Sequence, residues 1–231
     1  MRHHTLIAVT LVALVAAGSC AATEMVFNGK TTTEWIAALA SDNLEVQISA
    51  AWSLGEIGEH AVAAVPALLA AIGEMNPAVR HNSIEALGKI GPGAVAAVPT
   101  LLQLMTNPDA RMRWRAAKSL GSIGPTVAAA SIPLLATALG DADREVRLWS
   151  ATSLGQMGPS AVGQAPVLIN ALGDVDPGVR YASARALGMI ASATPPVVAA
   201  LQAALGDPVQ MVRQGATGAL TALNQPVTQP A

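Results

Sequence analysis

The phrase ALGKIG at residues 86–91 decides the fold, because it returns at a nearly constant period along the chain. Related phrases are SLGEIG at 53–58, SLGSIG at 119–124, SLGQMG at 153–158 and ALGMIA at 186–191. Successive Leu-Gly glycines are spaced 33, 33, 34 and 33 residues apart, and they are Gly55, Gly88, Gly121, Gly155 and Gly188. Such a period is typical of repeats that stack pairs of helices. The glycines are predicted to be turn residues that close a helix.

A glycine-rich loop that cradles a phosphate is the competing interpretation of this phrase. A loop of that kind occurs once in a domain, whereas this phrase occurs five times. Lys89 is not repeated, and no Ser or Thr follows it to bind Mg²⁺ as a Walker-type loop requires. A nucleotide site is therefore not predicted.

Each repeat is predicted to contain two helices. The first helices have apolar or small residues at helical spacing, which predicts one buried face. They cover residues 44–54, 78–87, 110–120, 144–154, 178–187 and 210–220. The second helices are predicted over residues 61–72, 94–105, 126–139, 160–172 and 194–205. Prolines recur near their starts and predict a kink or a late helix start, at Pro66, Pro99, Pro133 and Pro166.

A 33-residue helical pair cannot bury both helices alone, so the sequence predicts a stack of repeats. The fold class is all-α, a right-handed α-solenoid of about six helix–turn–helix repeats. The Val-Arg pair, the alanine column, Leu-Gly-x-Ile-Gly-Pro and Val-Pro-x-Leu-Leu resemble the HEAT-like repeat named after phycobilisome bilin lyases, over roughly residues 31–223. The resemblance implies the fold and leaves the activity open, because such repeats host many binding functions.

The predicted organisation has five parts. These are a signal peptide at 1–22, a short linker at 23–30, an N-terminal capping helix at 31–41, the repeats at 42–223 and a disordered polar tail at 224–231. Thr31 and Glu34 have the spacing of a capping box, in which each side chain accepts a backbone N–H of the helix start.

The N-terminus is predicted to direct export. The apolar run from Thr5 to Ala17 is shorter than the ~20 residues that span a bilayer. It leads into AAGSC, which resembles the lipobox of bacterial lipoproteins and marks Cys20, the sole cysteine, for lipid attachment. The alternative is an ordinary secretory signal cut near Ala22. The prediction is a protein of the bacterial cell envelope, either a periplasmic or outer-membrane lipoprotein or a secreted soluble protein.

Composition and residue types argue against several classes of function. The net charge is −2 and the pI about 6.1, so no basic field indicates nucleic-acid binding. The histidines are scattered, and no cysteine cluster or paired His-Glu motif indicates a metal site. No catalytic residue, metal ligand or cofactor is predicted, and the protein is predicted not to be an enzyme.

An arginine follows the buried valine position in five of the six first helices. A ligand rarely needs so many equivalent contacts, so these arginines are interpreted as a structural ladder between repeats rather than an anion site. They are expected to donate to helix-end carbonyls or to Asp and Asn side chains in turns. The ladder comprises Arg80, Arg113, Arg147, Arg180 and Arg213.

Two surfaces are candidates for partner binding. None of the five predicted second helices contains a charged residue, which predicts a neutral groove along their outward faces. Its candidate residues are Thr100, Gln103, Thr137, Val167 and Asn170. The alternative is a basic, aromatic stripe on the third first helix, made of Arg111, Trp114, Arg115 and Lys118. It suits an acidic protein segment or anionic lipid headgroups. The preferred interpretation of the stripe is nevertheless a solvated helix face, in which the arginine side chains pack on the Trp114 ring.

The leading functional hypothesis is a non-enzymatic, exported or membrane-anchored scaffold that binds a protein partner through the uncharged second-helix face. The alternative is an enzyme-associated or small-ligand role of the kind that the resemblance to bilin lyases implies. A purely structural lipoprotein is a third possibility.

Overall fold

The computed structural model describes residues 25–74, 76–190 and 193–227, and these residues are almost entirely helical. A short N-terminal helix, α1, spans Thr32–Ala38. The six first helices are α2 (Leu44–Ile57), α4 (Pro77–Ile90), α6 (Ala110–Ile123), α8 (Arg144–Gln156), α10 (Pro177–Met189) and α12 (Gln210–Ala222). The second helices are α3 (Val65–Ile72), α5 (Val98–Leu104), α7 (Ala128–Thr137), α9 (Ala165–Ala171) and α11 (Pro195–Ala204).

The second helices have the late start that their prolines predict in three repeats, and α3, α5 and α9 begin at Val65, Val98 and Ala165. A 3₁₀ turn precedes each of these helices, at Gly58–Ala64, Gly91–Ala97 and Gly158–Gln164. Pro66, Pro99 and Pro166 then occupy the first turn of the α-helix, where the missing N–H has no intrahelical partner to lose. Pro133 differs, since it lies inside α7. A second 3₁₀ turn, Ala138–Gly140, follows α7.

The two glycines of the repeated phrase have different roles, and the turn prediction was wrong for the Leu-Gly glycine. Gly155 lies inside α8, and a β-carbon there would meet the Cα of Ala186 in α10 at 3.0 Å. This glycine therefore lets neighbouring first helices approach closely. The turn is made by the second glycine of the phrase, whose φ is positive at Gly58, Gly91, Gly124 and Gly158. A positive φ strains other residues and favours glycine.

The first helices begin at side-chain caps supplied by the turn before them. Asn43, Asn76, Asp109, Asp143 and Asp176 each accept one or two backbone N–H groups of the first turn. These bonds satisfy donors that have no partner within the helix. The helix α12 is preceded by Val209, which provides no such side chain. The repeated Asx residues therefore fix where five of the six first helices start.

The chain divides into two compact units, residues 1–94 and residues 95–231, called unit 1 and unit 2 below. In unit 1, α2 packs against both α1 and α4, and α4 also packs against α3. In unit 2, α6, α8, α10 and α12 pack in sequence, each against the next, while the second helices pack on the first helices. The core leucines of the first helices are fully buried, namely Leu54, Leu87, Leu120, Leu154, Leu187 and Leu220.

A small hairpin closes the N-terminal side of unit 1, where a linker at 23–30 was predicted. Strands β1 (Val26–Phe27) and β2 (Lys30–Thr31) pair antiparallel across an Asn-Gly turn. Trp35 donates its indole N–H to the Phe27 carbonyl at 2.9 Å, and the Phe27 ring packs edge-on against Trp52 at 5.5 Å. The predicted capping box is present, since Thr31 and Glu34 accept each other's backbone N–H groups. The hairpin strand β1 and α1 both pack against α2.

Two helical segments have the length and composition of membrane spans. The run Leu44–Ile72 is one, and Ala110–Ile123 with Pro125–Gly140 is a pair bent by 110°. Core helices of repeat proteins share this composition, and Gly58 separates α2 from α3 within the first run. The predicted signal segment with Cys20, and residues 228–231 of the predicted tail, lie outside the described residues.

Candidate functional site

The residues predicted to face outward on the second helices are accessible to solvent in unit 2. Gln103, Thr137 and Asn170 are exposed, and Thr100 and Val167 are half-buried beside them. The prolines that start or lie within these helices are also exposed, at Pro99, Pro133 and Pro166. The Thr137 hydroxyl donates to the Pro133 carbonyl at 3.0 Å, so it still offers lone pairs to a ligand. The face is neutral, with amides on α5 and α9.

A shallow hollow interrupts this face between α7 and α9. Its volume is about 310 Å³, and Ala136, Leu139, Val167, Asn170 and Asp174 are among its lining residues. Asn170 places an amide at the edge of an apolar floor. Such a combination can hold an apolar side chain while the amide bonds an extended backbone. Asp174 is engaged elsewhere, since it pairs with Arg147.

The ladder arginines bridge successive turns in unit 2. Arg147 donates from Nε and Nη2 to the two carboxylate oxygens of Asp174 at 2.7 and 2.9 Å, and from Nη1 to the Asp141 carbonyl at 2.9 Å. Arg113 bonds Asp141, and Arg180 bonds Asp207, in the same two-pronged way. Each guanidinium thus ties the turn before its own helix to the turn before the next first helix.

The ends of the ladder differ from its middle. Among the described residues, Arg213 donates to the carbonyls of Asp207 and Pro208 at 2.7 and 3.0 Å and to no carboxylate. At the N-terminal end, the Gln47 amide donates to the Ser41 carbonyl at 2.8 Å in place of an arginine. The Nε of Arg80 is buried and has no hydrogen-bond partner among the described residues.

Two of the three ladder carboxylates, Asp141 and Asp174, are the first Asp of an Asp-x-Asp pair, and the third is Asp207. Asp143 and Asp176 cap α8 and α10, and Asp141 and Asp174, two residues earlier, receive the arginines. Burial raises the pKa of Asp174, but the hydrogen bonds from Arg147 and the Asp176 backbone outweigh it and leave that pKa lowered. Hydrogen bonding to Asp174 raises the pKa of Arg147 in turn.

Low pH should weaken the Arg–Asp ion pairs of the ladder and so destabilise unit 2. Because Asp174 has a lower pKa folded than unfolded, its contribution to stability is present above about pH 4, its ordinary pKa, and is lost as the pH falls through the folded value. We expect the free energy of unfolding to drop as the pH falls below about 4, and Asp174→Asn to flatten that slope. Urea midpoints across this range test it, with Glu59→Gln as the control outside the ladder. An unchanged slope in Asp174→Asn would contradict the ladder's role.

The basic stripe of α6 is joined to the next first helix by stacked aromatic rings. Trp114 stacks on Trp149 of α8 with ring centroids 6.3 Å apart. The Arg115 guanidinium lies 4.1 Å from the Trp114 ring centroid, and the Lys118 ammonium lies 5.1 Å from that of Trp149. Arg111 turns away from this group and pairs with Asp109. Three of the four predicted stripe residues are therefore brought together, with Trp149 added.

The described residues show little that resembles a catalytic constellation. No group of three or more His, Cys, Asp or Glu side chains converges in the described part of the chain. His60 is exposed in a turn, 3.9 Å from Glu59. The shifted carboxylates are those of the Arg–Asp ladder and the Glu34 cap. Their shifts are explained by structural pairing rather than by a reaction.

Two solved structures resemble this arrangement of helices. An engineered protein matches with a TM-score of 0.64 at 24% identity, covering 84% of this chain and 96% of its own. The complex of CpcE and CpcF of phycocyanin lyase from Nostoc sp. PCC7120 matches with a TM-score of 0.54 at 24% identity, covering 68% of this chain and 98% of that one. Both likenesses concern the fold alone.

The sequence itself carries the family signature. No curated protein matches the chain significantly. A profile of HEAT repeats matches residues 32–97, 65–135 and 132–221, which together cover most of the chain and agree with the helical pairs described above. The all-α architecture of stacked helix–turn–helix units is that of an α-solenoid. The chain belongs to the HEAT repeat family.

Proposed function

We propose that this HEAT repeat protein is a non-enzymatic scaffold that binds a segment of a partner protein on the uncharged second-helix face of unit 2. The observation that carries the proposal is the neutrality of that face. The helices α5, α7, α9 and α11 contain no charged residue, although residues such as Gln103 and Asn170 are exposed on them. Solvated helix faces normally carry Lys and Glu, and a neutral face is poorly soluble unless a partner covers it.

The chemistry of the face favours a largely apolar segment in an extended or helical conformation. Half-buried Thr100, Leu134 and Val167 offer apolar contact area, while Gln103 and Asn170 can bond a backbone N–H or C=O. An acidic or basic segment would gain no ion pair here. The hollow beside Asn170 supplies a place for one anchoring side chain.

A charge introduced on this face should abolish binding of the partner. Gln103→Glu combined with Asn170→Arg places opposite charges on exposed positions of α5 and α9, so we expect loss of the partner with an almost unchanged melting temperature. A photo-crosslinking residue at position 103 in native cells measures contact, and the same residue at Val175, which is 89% exposed in the turn before α10, is the control. Equal crosslinking at both positions, or capture retained by the double variant, would place the binding surface elsewhere.

Export and membrane attachment form the second part of the proposal. They are supported by the apolar run before AAGSC and by Cys20 being the sole cysteine. The hairpin begins at Val26, six residues after Cys20, so a lipid on Cys20 would hold β1 within about 20 Å of the bilayer surface. A scaffold held so close to the membrane would meet membrane-bound partners.

Replacing Cys20 should release the protein from the membrane. We expect Cys20→Ala to move the chain from the membrane fraction to the soluble fraction, because one acyl-bearing residue supplies the proposed anchor. Membrane fractionation followed by immunoblotting measures the distribution, and intact-mass analysis of the wild type reports the added lipid. A membrane-bound Cys20→Ala variant would contradict the anchor. A soluble wild type lacking residues 1–22 would support a secretory signal instead.

A small-ligand role of the kind associated with bilin lyases is the second candidate. The match to the phycocyanin lyase complex supports it only through the fold. Visible absorbance and elemental analysis of protein purified from its native host test it. A stoichiometric chromophore or metal would favour this role over a scaffold.

A further inference from the structure

A cavity opens on the first-helix face of unit 2, between α8, α10 and α12. Its volume is about 290 Å³, close to the lower end of the range for ligand pockets, ~300–1,000 Å³. Its walls include Leu148, Tyr181, Met189 and Met211. Met189 and Met211 are 44% and 40% exposed. Flexible methionines at a cavity mouth can adapt to the shape of an inserted apolar group.

A positively charged side chain lines the same cavity. Arg185 is exposed and lines it, with its guanidinium 5.8 Å from the centroid of the Tyr181 ring. Among the described residues, no carboxylate lies within 4.0 Å of Arg185, whereas its neighbour on α10, Arg180, is held by Asp207. The guanidinium of Arg185 can therefore bind a carboxylate with two N–H groups beside an apolar opening.

The surface continues from the cavity across α8 to α6. Thr152 in the cavity wall lies three residues after Trp149 on the same face of α8, and Trp149 stacks on Trp114. Lys118 and Arg115 lie over these two rings. The continuous surface thus spans four first helices, which suits an extended chain segment better than a small molecule.

The charge of this face is strongly one-sided. Outside the ladder, the helices α6, α8, α10 and α12 contain five basic residues and one acidic residue, Glu145; the basic ones are Arg111, Arg115, Lys118, Arg144 and Arg185. The other six acidic residues of unit 2 lie in the turns, where Asp141, Asp174 and Asp207 hold ladder arginines. Residues 25–94 have the opposite balance, with seven acidic and three basic residues. Complementarity therefore favours an acidic ligand on the first-helix face of unit 2.

We propose that this face is a second protein-binding site, which takes an acidic segment of a partner and seats one bulky apolar side chain in the Met189–Met211 cavity. A carboxylate next to that side chain pairs with Arg185. Neighbouring carboxylates meet Lys118 and Arg115 around the Trp114–Trp149 stack. The site is separate from the second-helix face and does not depend on it.

Methionine methyl NMR of the full chain tests the site directly. The probe is a blocked peptide with one Phe flanked on each side by three Asp or Glu residues. We expect its addition to shift the methyl resonances of Met189 and Met211. The buried Met112 and Met157, which lie in the core of unit 2, should not move and serve as internal references. Absence of any shift at Met189 and Met211 would overturn the proposal.

Matched variants separate the site from general attraction between charges. Arg185→Gln should weaken peptide binding about tenfold, the value of one charge-assisted hydrogen bond. Arg111→Gln removes the same charge from the first turn of α6, where Arg111 pairs with Asp109 and is not a lining residue of the cavity, and should change binding no more than about twofold. A peptide with Ser in place of Phe should bind at least about tenfold more weakly. Equal losses in the two variants, or equal binding of the two peptides, would overturn the proposal.

Two further arms identify the ligand class and separate this site from the second-helix face. Vesicles with a high content of phosphatidylglycerol test the alternative of a lipid surface. If they shift Met189 and Met211 with the same dependence on Arg185 while the peptide does not, the proposal is wrong. The Gln103→Glu, Asn170→Arg variant should bind the acidic peptide normally. Loss of peptide binding in that variant would refute the independence of the two sites.

Discussion

Replacing Gly188 with valine is expected to lower the free energy of unfolding by about 3 kcal/mol. A β-carbon at position 188 would lie 2.7 Å from the Cα of Ala219, an atom of the α12 backbone. A backbone atom cannot rotate away as a side chain can, so α12 must shift from α10 and lose its packing. Urea unfolding, with helix content followed by circular dichroism, measures the change.

Gly218 provides the matched control, because it is a glycine inside α12 whose β-carbon would meet nothing within 4 Å. Gly218→Ala should stabilise the chain by about 0.5–1 kcal/mol, since alanine loses less backbone freedom in a helix. If Gly188→Val proved neutral, the close approach of α10 and α12 would not be the reason for the glycine.

Arg147→Ala is expected to destabilise unit 2 by roughly 1–3 kcal/mol. The substitution leaves the Asp174 carboxylate, which is 11% exposed, and the Asp141 carbonyl without their donor. A buried acceptor deprived of its partner keeps its desolvation cost. Thermal or urea unfolding measures the loss.

Arg111 is the control for the ladder, because it has the same side chain but pairs at the surface with Asp109 and is 65% exposed. Surface pairs of this kind contribute little, so Arg111→Ala should leave the melting temperature almost unchanged. Similar losses in Arg111→Ala and Arg147→Ala would mean that position in the ladder is irrelevant to stability.

The helical framework could be predicted from the sequence because two independent periods agree. The 3.6-residue spacing of apolar residues locates each helix, and the 33-residue spacing repeats the result, so an error in one repeat is corrected by its neighbours. The role of Gly155 could not be predicted in the same way. The residue that requires it, Ala186, lies 31 positions later, and a contact between repeats leaves no mark on the local pattern.

The N-terminal hairpin had a signal that helical periodicity obscured. Asn28-Gly29 between Phe27 and Lys30 is a strong hairpin dipeptide, and both turn residues have positive φ. Two-residue strands are too short for alternation of apolar and polar residues to be visible. The 3₁₀ turns were missed for a similar reason, since alanine-rich stretches such as Gly91–Ala97 fit either kind of helix.

The candidate surfaces were only partly predictable. The charge-free second helices follow directly from reading residue types along the predicted helices, and so does the basic stripe on α6. The cavity beside Arg185 was missed, because Leu148, Tyr181 and Met211 come from three different helices. Only the packing distance between those helices decides whether a hollow exists there.

The two-pronged link from Arg147 to Asp174 has a consequence for how this chain can change length. Each internal repeat of unit 2 contributes an arginine that donates to the next turn and an aspartate that accepts from the arginine of the preceding first helix. A duplicated segment would therefore bring its own donor and its own acceptor, at the correct spacing. Tandem duplication of 33 residues would therefore leave no link unmatched and would add one more interface of the existing kind. The number of repeats is a variable that recombination, or a protein engineer, can alter without redesigning a junction.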